Sequence, residues 1–167
     1  IDIPEDGVVI DIFTIDFPQN ITQVHFIKLR LFDTKGKEVA NTFYWRSNDK
    51  YEGRKTLTGP TSSGFEDLSK LKQVQLKTRY QTYQEGDRHF IKAEIKNPSS
   101  TVAFFTQLQL LGQDKKPVRP SFYTDNFFSL LPGESKTVII ETAASDMPSE
   151  PTFVVKGWNI KPSSFKL

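Results

Sequence analysis

A turn between two strand-like segments constrains the fold of this chain more than any other feature of its sequence. Residues 131–134 read Leu-Pro-Gly-Glu. Proline presets a negative φ at the first turn position, and glycine accepts the positive φ that follows. Residues 136–141 then read Lys-Thr-Val-Ile-Ile-Glu, and a β-branched run between polar residues predicts a strand. The combination indicates a β-sandwich domain that presents loops.

Strands and turns alternate in the same way from residue 74 to residue 167. Ile91, Ala93 and Ile95 share one face of their strand, and lysine and glutamate take the other. Regular strands of this kind, separated by turns rich in Gly, Pro and Asn, are typical of an immunoglobulin-like sandwich. We therefore predict an all-β fold with one complete sandwich in residues 74–167. Its predicted strands are residues 74–80, 88–96, 102–111, 122–128, 136–142 and 152–160.

Residues 1–46 contain too little material for a second complete sandwich. Strands are predicted at residues 8–17, 24–33 and 38–46, and residues 33–37 form a hairpin turn. Three strands cannot close two sheets over a core, and a lone small sheet is marginally stable. We expect residues 1–46 to be the C-terminal remnant of another immunoglobulin-like sandwich. Its exposed edges would lean on the second domain or pair with a neighbouring chain.

Residues 47–73 are predicted to connect the two parts through a loop and a short helix. Residues 47–63 are polar and Gly-rich and show no periodicity. Ser63 and Glu66 have the spacing of a capping box. Apolar residues then follow at helical spacing, which predicts a helix of about two turns.

Composition excludes several functional classes. Apolar residues make up 37% of the 167, and 14 residues are phenylalanine, enough for a globular core. The net charge is +2 with the signs interspersed, so we expect no nucleic-acid partner, and no apolar run is long enough to suggest a membrane partner. Cysteine is absent, which excludes disulfides and thiolate chemistry. The absence of cysteine fits a bacterial periplasmic or secreted protein, and a cytoplasmic one as well. The chain begins without an initiator Met or a signal peptide, so we expect a processed chain or a fragment.

No catalytic, cofactor-binding or metal site is predicted. His25 and His89 are the two histidines, and neither has metal-ligand spacing around it, so both are interpreted as structural. Glu134 lies beside the Pro-Gly turn and is interpreted as a solvated turn residue rather than as one of a pair of glycosidase carboxylates. Nucleophile elbows, phosphate loops and dinucleotide fingerprints are absent from the sequence.

Adjacent aromatic residues supply the candidate contact sites. The pairs at 104–105 and 127–128 and the Phe-Tyr-Trp run at 43–45 lie on predicted strands. Because side chains alternate along a strand, at least one aromatic of each group points away from the local core. The favoured interpretation is packing against an adjoining domain, and the alternative is stacking on sugar rings. The candidate carbohydrate or cleft contacts are Trp45, Tyr51 and Trp158.

Several motifs in order along the chain resemble glycoside hydrolase family 2, most closely its exo-β-D-glucosaminidases and the related β-mannosidases. The motifs are Asn41-Thr-Phe-Tyr-Trp45 with the polar loop after it, the segment from Lys96 to Phe105, Tyr123-Thr-Asp-Asn-Phe127 with the Pro-Gly turn, and Val155-Lys-Gly-Trp-Asn159. The resemblance implies the last two sandwiches of such an enzyme, the first of them truncated. It also implies that retaining hydrolysis by two glutamates takes place on an absent (β/α)₈ barrel, so that no catalytic residue carries over.

The resemblance therefore implies a supporting role. The partner would be the catalytic barrel of the same parent chain, which these domains would brace, and no cofactor is implied. The loop at residues 47–63, with Tyr51, is a candidate for bordering the catalytic cleft, although a simple connector is the favoured interpretation. Two alternatives remain open: a free-standing module that binds β-linked oligosaccharide, and a structural, adhesion-type sandwich. An independent enzyme ranks last, and the sequence does not decide between mannoside and glucosaminide as the parent substrate.

Overall fold

The structure is a computed structural model, which describes residues 5–10, 12–48 and 64–167. Within those residues the regular structure consists of ten strands and two short 3-10 turns, Glu66–Lys70 and Ala144–Asp146. The chain divides into two compact units, Ile1–Leu68 and Ser69–Leu167. In the part of the chain that the structure describes, no helix has the length and apolarity needed to cross a membrane. The predicted all-β class is confirmed.

The first unit contains one antiparallel hairpin. Strand β1 (Val24–Phe32) pairs with β2 (Glu38–Ser47). The turn between them is closed by Asp33, whose Oδ1 accepts hydrogen bonds from the backbone N–H groups of Lys35 and Lys37, both at 2.9 Å. Gly36 takes the positive φ of 77° that this turn requires. The hairpin predicted from the sequence is therefore confirmed.

The strand predicted at residues 8–17 is wrong. The described residues of this run form no strand, and Val8, Ile10 and Phe13 are strongly exposed. High β-propensity reflects how well a side chain fits a pleated, half-buried surface, and it forms a strand only where a neighbouring strand and a core are available. Among the described residues of the first unit, β1 and β2 pair with each other and leave this run without a ladder.

The second unit is a sandwich of two four-stranded sheets. One sheet, the β4 sheet, has the order β3-β4-β8-β6, and the other, the β5 sheet, has the order β10-β9-β5-β7. The strands are β3 (Lys77–Glu85), β4 (Arg88–Lys96), β5 (Ala103–Leu111), β6 (Phe122–Tyr123), β7 (Phe128–Leu130), β8 (Ser135–Ala143), β9 (Thr152–Gly157) and β10 (Ile160–Lys166). Side chains from both sheets meet in one apolar cluster. Its fully buried members include Phe153, Ile91, Ile95, Leu108, Leu110 and Ile140.

The sequence predicted the central strands well and the short ones poorly. β4 has the predicted bounds, β5 begins one residue later than predicted, and β8 is one residue longer than predicted at each end. Three predictions were wrong in part. Val74 makes an isolated bridge to Ile160, and β3 begins only at Lys77. The predicted strand at 122–128 is two short strands in different sheets, and the one at 152–160 is a hairpin of β9 and β10.

The predicted helix is shorter than expected. Glu66–Lys70 is a single 3-10 segment rather than about two α-helical turns. Its capping box includes Ser63, which lies outside the described residues. The 3-10 helix is used mostly in such short pieces, and Leu68 is the buried residue of this one.

Candidate functional site

The three predicted contact residues lie in different parts of the chain. Trp45 lies on β2 in the first unit and is exposed, opposite Phe26 of β1. Trp158 lies in the second unit, in the turn between β9 and β10, and is also exposed. Tyr51, with most of the loop at residues 47–63, lies outside the described residues. The proposed sugar-contacting role of these three residues stays a prediction.

The Trp158 backbone lies beside β5, close to two exposed phenylalanines, and we call these three exposed residues the aromatic cluster: Phe105, Phe127 and Trp158. The ring centroids of Phe105 and Phe127 are 5.4 Å apart, and the Trp158 backbone N–H donates to the Phe104 carbonyl at 3.0 Å. The side chains of the cluster are 39%, 49% and 59% exposed, respectively. Their sequence neighbours Phe104 and Phe128 are only 3% and 8% exposed, and Phe128 belongs to the apolar core cluster. As predicted, one phenylalanine of each pair is therefore exposed.

Two members of the cluster have an unusual backbone conformation. Phe105 has a φ of 58° and Phe127 a φ of 57°. The left-handed region costs an L-residue about 1–2 kcal/mol, and bulky side chains rarely adopt it. At Phe105 the conformation coincides with a register irregularity between Ala103 and Thr106, where β5 pairs with β7. Local irregularities of this kind redirect a side chain.

Two asparagines fix the backbone beside the cluster. Asn159 is almost fully buried: its Oδ1 accepts the Phe104 N–H at 2.9 Å, and its Nδ2 donates to the carbonyls of Lys72 at 2.9 Å and Val102 at 2.8 Å. The Asn126 Oδ1 accepts a hydrogen bond from the Leu108 N–H at 2.8 Å, and the Asn126 Nδ2 donates one to the Leu108 carbonyl at 3.0 Å. Each asparagine adjoins an outward aromatic residue, Trp158 or Phe127. These positioning residues were missed at the sequence level, where an Asn beside an exposed aromatic is the one available signal.

Gly157 brings the Trp158 turn close to β5. A Cβ atom at this position would lie 2.9 Å from the Phe105 carbonyl oxygen and 3.1 Å from that of Phe104, and it would clash with the Ile160 side chain. Only glycine allows this approach of two backbones. The turn therefore lies against β5 for two reasons. Asn159 is hydrogen-bonded to β5, and Gly157 has no side chain that would keep the two backbones apart.

The outer face of the β5 sheet continues from the cluster with amide side chains. Gln107 and Gln109 point outward from β5, and Lys156 points outward from β9, with its Nζ 3.2 Å from the Gln109 Oε1. A groove of about 460 Å³ lies at the far end of the same face, lined among others by Leu111 and Val154. Amides, aromatic rings and a shallow groove thus share one face.

Several ionisable groups of the described residues make local structural contacts. No group of three or more His, Asp or Glu side chains there is placed to hold a metal ion. Glu134 is half-buried, and its Oε2 accepts the Leu131 N–H at 2.8 Å, so it closes the Pro-Gly turn instead of lying free in solvent. Hydrogen bonds from the backbone and side chain of Lys116 lower the pKa of the Asp114 carboxyl. His25 packs edge-on to Phe17 at 5.3 Å.

Burial raises the pKa of Tyr123, whose hydroxyl oxygen accepts the Leu110 N–H at 2.9 Å. The folded chain then holds this proton at pH values where the unfolded chain has lost it. We expect the free energy of unfolding to fall as the pH rises above about 10. Urea unfolding between pH 9 and 12 measures this slope, and Tyr123→Phe should make it shallower than the control Tyr44→Phe does. Equal slopes for both variants would contradict the assignment.

Comparison with known proteins identifies relatives of the chain. A family model described as the exo-beta-D-glucosaminidase Ig-fold domain matches residues 56–160. The exo-beta-D-glucosaminidase of Streptomyces avermitilis is 30% identical over 149 residues, covering 83% of this chain and 16% of that protein. That of Amycolatopsis orientalis is 27% identical over 157 residues, covering 87% and 15%. The chain thus spans only a small part of the curated relatives it matches.

A solved structure agrees in fold. The crystal structure of the Amycolatopsis orientalis exo-chitosanase CsxA is similar with a TM-score of 0.80 at 22% identity, over 93% of this chain and 19% of that one. At this identity the likeness supports the immunoglobulin-like fold.

Proposed function

Since the chain belongs to the family of exo-β-D-glucosaminidase Ig-fold domains, we propose that it is the non-catalytic β-sandwich region of an exo-β-D-glucosaminidase of glycoside hydrolase family 2. The observation that carries the proposal is the family match over residues 56–160. Both curated relatives bear the name exo-beta-D-glucosaminidase, which favours a glucosaminide over a mannoside as the parent substrate. Retaining chemistry would then take place on a barrel elsewhere in the parent chain.

Within that enzyme, the first unit is proposed to brace the catalytic domain. Leu31, Phe32 and Val39 of its hairpin are each at least half exposed, as are Val8, Ile10 and Phe13. Large exposed apolar patches usually mark surfaces that pack against other protein. The hairpin would then be part of a sandwich whose remaining strands belong to the parent chain, and its exposed apolar residues, including Leu31, would pack against the catalytic domain.

The parent gene tests the assignment directly. We expect the coding region upstream of the Ile1 codon to encode the missing strands and a barrel with two catalytic glutamates. The parent enzyme should hydrolyse p-nitrophenyl β-D-glucosaminide, and the 167-residue chain should not. A start codon immediately upstream, or turnover by the chain alone, would contradict the proposal.

The bracing role makes a separate prediction about Leu31. We expect Leu31→Lys to lower the melting temperature of the parent enzyme, because the charge would be buried against the catalytic domain. The same change should leave the melting temperature of the 167-residue chain nearly unaltered, because Leu31 is 55% exposed there. Differential scanning calorimetry measures both, and Lys35→Ala in the neighbouring turn is the control. An unaltered parent would argue against bracing at this surface.

A further inference from the structure

We propose that the outer face of the β5 sheet, from the aromatic cluster to the groove at its far end, binds a β-linked oligosaccharide. The choice of glucosamine as the sugar rests on the proposed function. The surface itself is inferred from the described residues of the second unit.

The composition of the face fits a sugar chain. A pyranose ring offers apolar C–H faces and hydroxyl edges, so it is bound by aromatic rings together with uncharged hydrogen-bonding groups. The outward residues of β5 supply these in order: Phe105, then Gln107 and Gln109, then Leu111. Their neighbours Leu108 and Leu110 are buried in the core. Lys156, whose ammonium is bonded to Gln109, lies between the cluster and the groove, and the groove is lined by three further charged residues, Lys115, Glu150 and Lys166.

The opposite face of the sandwich has different chemistry. On the outer face of the β4 sheet, Lys77 lies directly opposite Lys96 on the adjacent strand, and Arg79 lies opposite Glu94. Arg88 and Glu141 form an ion pair farther along the same sheet. The β4 face is therefore marked by cross-strand charge pairs, whereas aromatic rings and amides lie between the charged residues of the β5 face, which are Lys156 and, in the groove, Lys115, Lys166 and Glu150.

The dimensions also fit. Phe105 and Leu111 are six residues apart on one strand, which corresponds to roughly 20 Å. The groove of about 460 Å³ extends the face beyond Leu111, beside Pro151 and Val154. This length accommodates several sugar rings in a row.

Packing of the core does not require the rings of Phe105 and Phe127 to point outward. Phe128 already fills the apolar core beside them, whereas Phe105 and Phe127 each adopt a left-handed conformation that costs free energy. Backbone strain of this kind persists where surrounding structure holds it, and it is concentrated at binding and catalytic sites. Here Asn126 and Asn159 fix the neighbouring backbone through their hydrogen bonds to β5.

Titration of the 167-residue chain with a β-1,4-linked glucosamine hexamer tests the proposal, with binding followed by NMR chemical shifts and by calorimetry. We expect weak, saturable binding that shifts backbone amides of β5 and of the Trp158 turn. Trp158→Ala and Phe127→Ala should each weaken binding about three- to tenfold, the loss expected for one ring contact. Lys156→Gln should strengthen binding of this cationic hexamer about twofold and leave binding of the N-acetylglucosamine hexamer unchanged.

Matched controls separate this site from other aromatic surfaces. Trp45→Ala on the first unit and Phe122→Ala on the β4 sheet remove exposed rings of the same type, and both should retain full affinity. The proposal is overturned if no oligosaccharide shows saturable binding, or if these control variants weaken binding as much as the cluster variants do.

A lower stability of the parent enzyme in Trp158→Ala, without any sugar binding, would instead show that the surface docks against protein. Saturable binding of a mannose hexamer but not of either hexosamine would support the surface and contradict the glucosaminidase assignment.

Discussion

Replacing Phe153 with alanine is expected to lower the free energy of unfolding of the second unit by about 3–5 kcal/mol. Phe153 is fully buried on β9, with its ring 5.4 Å from that of Phe165 and 5.9 Å from that of Tyr80. Truncation removes the largest buried side chain of the core and leaves a cavity that the two packed sheets can fill only in part. The loss combines the transfer free energy of the ring with the cost of that cavity.

Urea unfolding of the 167-residue chain, followed by fluorescence and circular dichroism, measures this effect. Phe122→Ala is the matched control, because Phe122 is mostly exposed on β6 and its loss should change the free energy by less than about 1 kcal/mol. Phe153→Leu should fall between the two. A loss below about 1.5 kcal/mol for Phe153→Ala would mean that the core collapses around the deletion, contrary to the packing described above.

The sequence predicted strands where hydrophobic alternation and a full set of neighbours coincide. β4 was predicted with both bounds because Ile91, Ala93 and Ile95 follow the period of two and lie between β3 and β8. β10 was not predicted because it contains Pro162 and several polar residues, which are typical of an irregular chain terminus. A strand with proline is tolerated at a sheet edge, and β10 occupies such an edge. Residues 8–17 show the opposite error, since apolar content alone does not provide a pairing strand.

The candidate surface was predicted only in part. The outward aromatics follow from side-chain alternation, and Trp158 was singled out for its exposure. The positive φ of Phe105 and Phe127 runs against residue propensity, so no local pattern could have indicated it. The asparagine bonds depend on segments 18 to 87 residues apart in the chain, and only the tertiary structure brings these together. The family resemblance, in contrast, was carried by ordered motifs and is confirmed at the level of the Ig-fold domain.

Asn159→Ala is expected to be comparably destabilising, at about 3–5 kcal/mol, although the side chain is small. Its three hydrogen bonds join the Lys72 carbonyl, β5 and the Trp158 turn. Removing the amide leaves a buried N–H and two carbonyls without these partners, and each unsatisfied group costs about 1–3 kcal/mol. The same urea experiment applies, with Gln84→Ala as control, since Gln84 is exposed and donates a single bond to Gly86.

Asn159→Asp distinguishes lost hydrogen bonds from lost volume. The carboxylate keeps the acceptor for the Phe104 N–H but loses both donated bonds and buries a charge, so the variant should be strongly destabilised at neutral pH. Burial raises the pKa of such a carboxyl, and protonation restores one donor. Its stability relative to the wild type should therefore rise as the pH falls through the folded pKa. A pH-independent difference, or an alanine variant within about 1 kcal/mol of wild type, would show that this asparagine does not hold the Trp158 turn against β5.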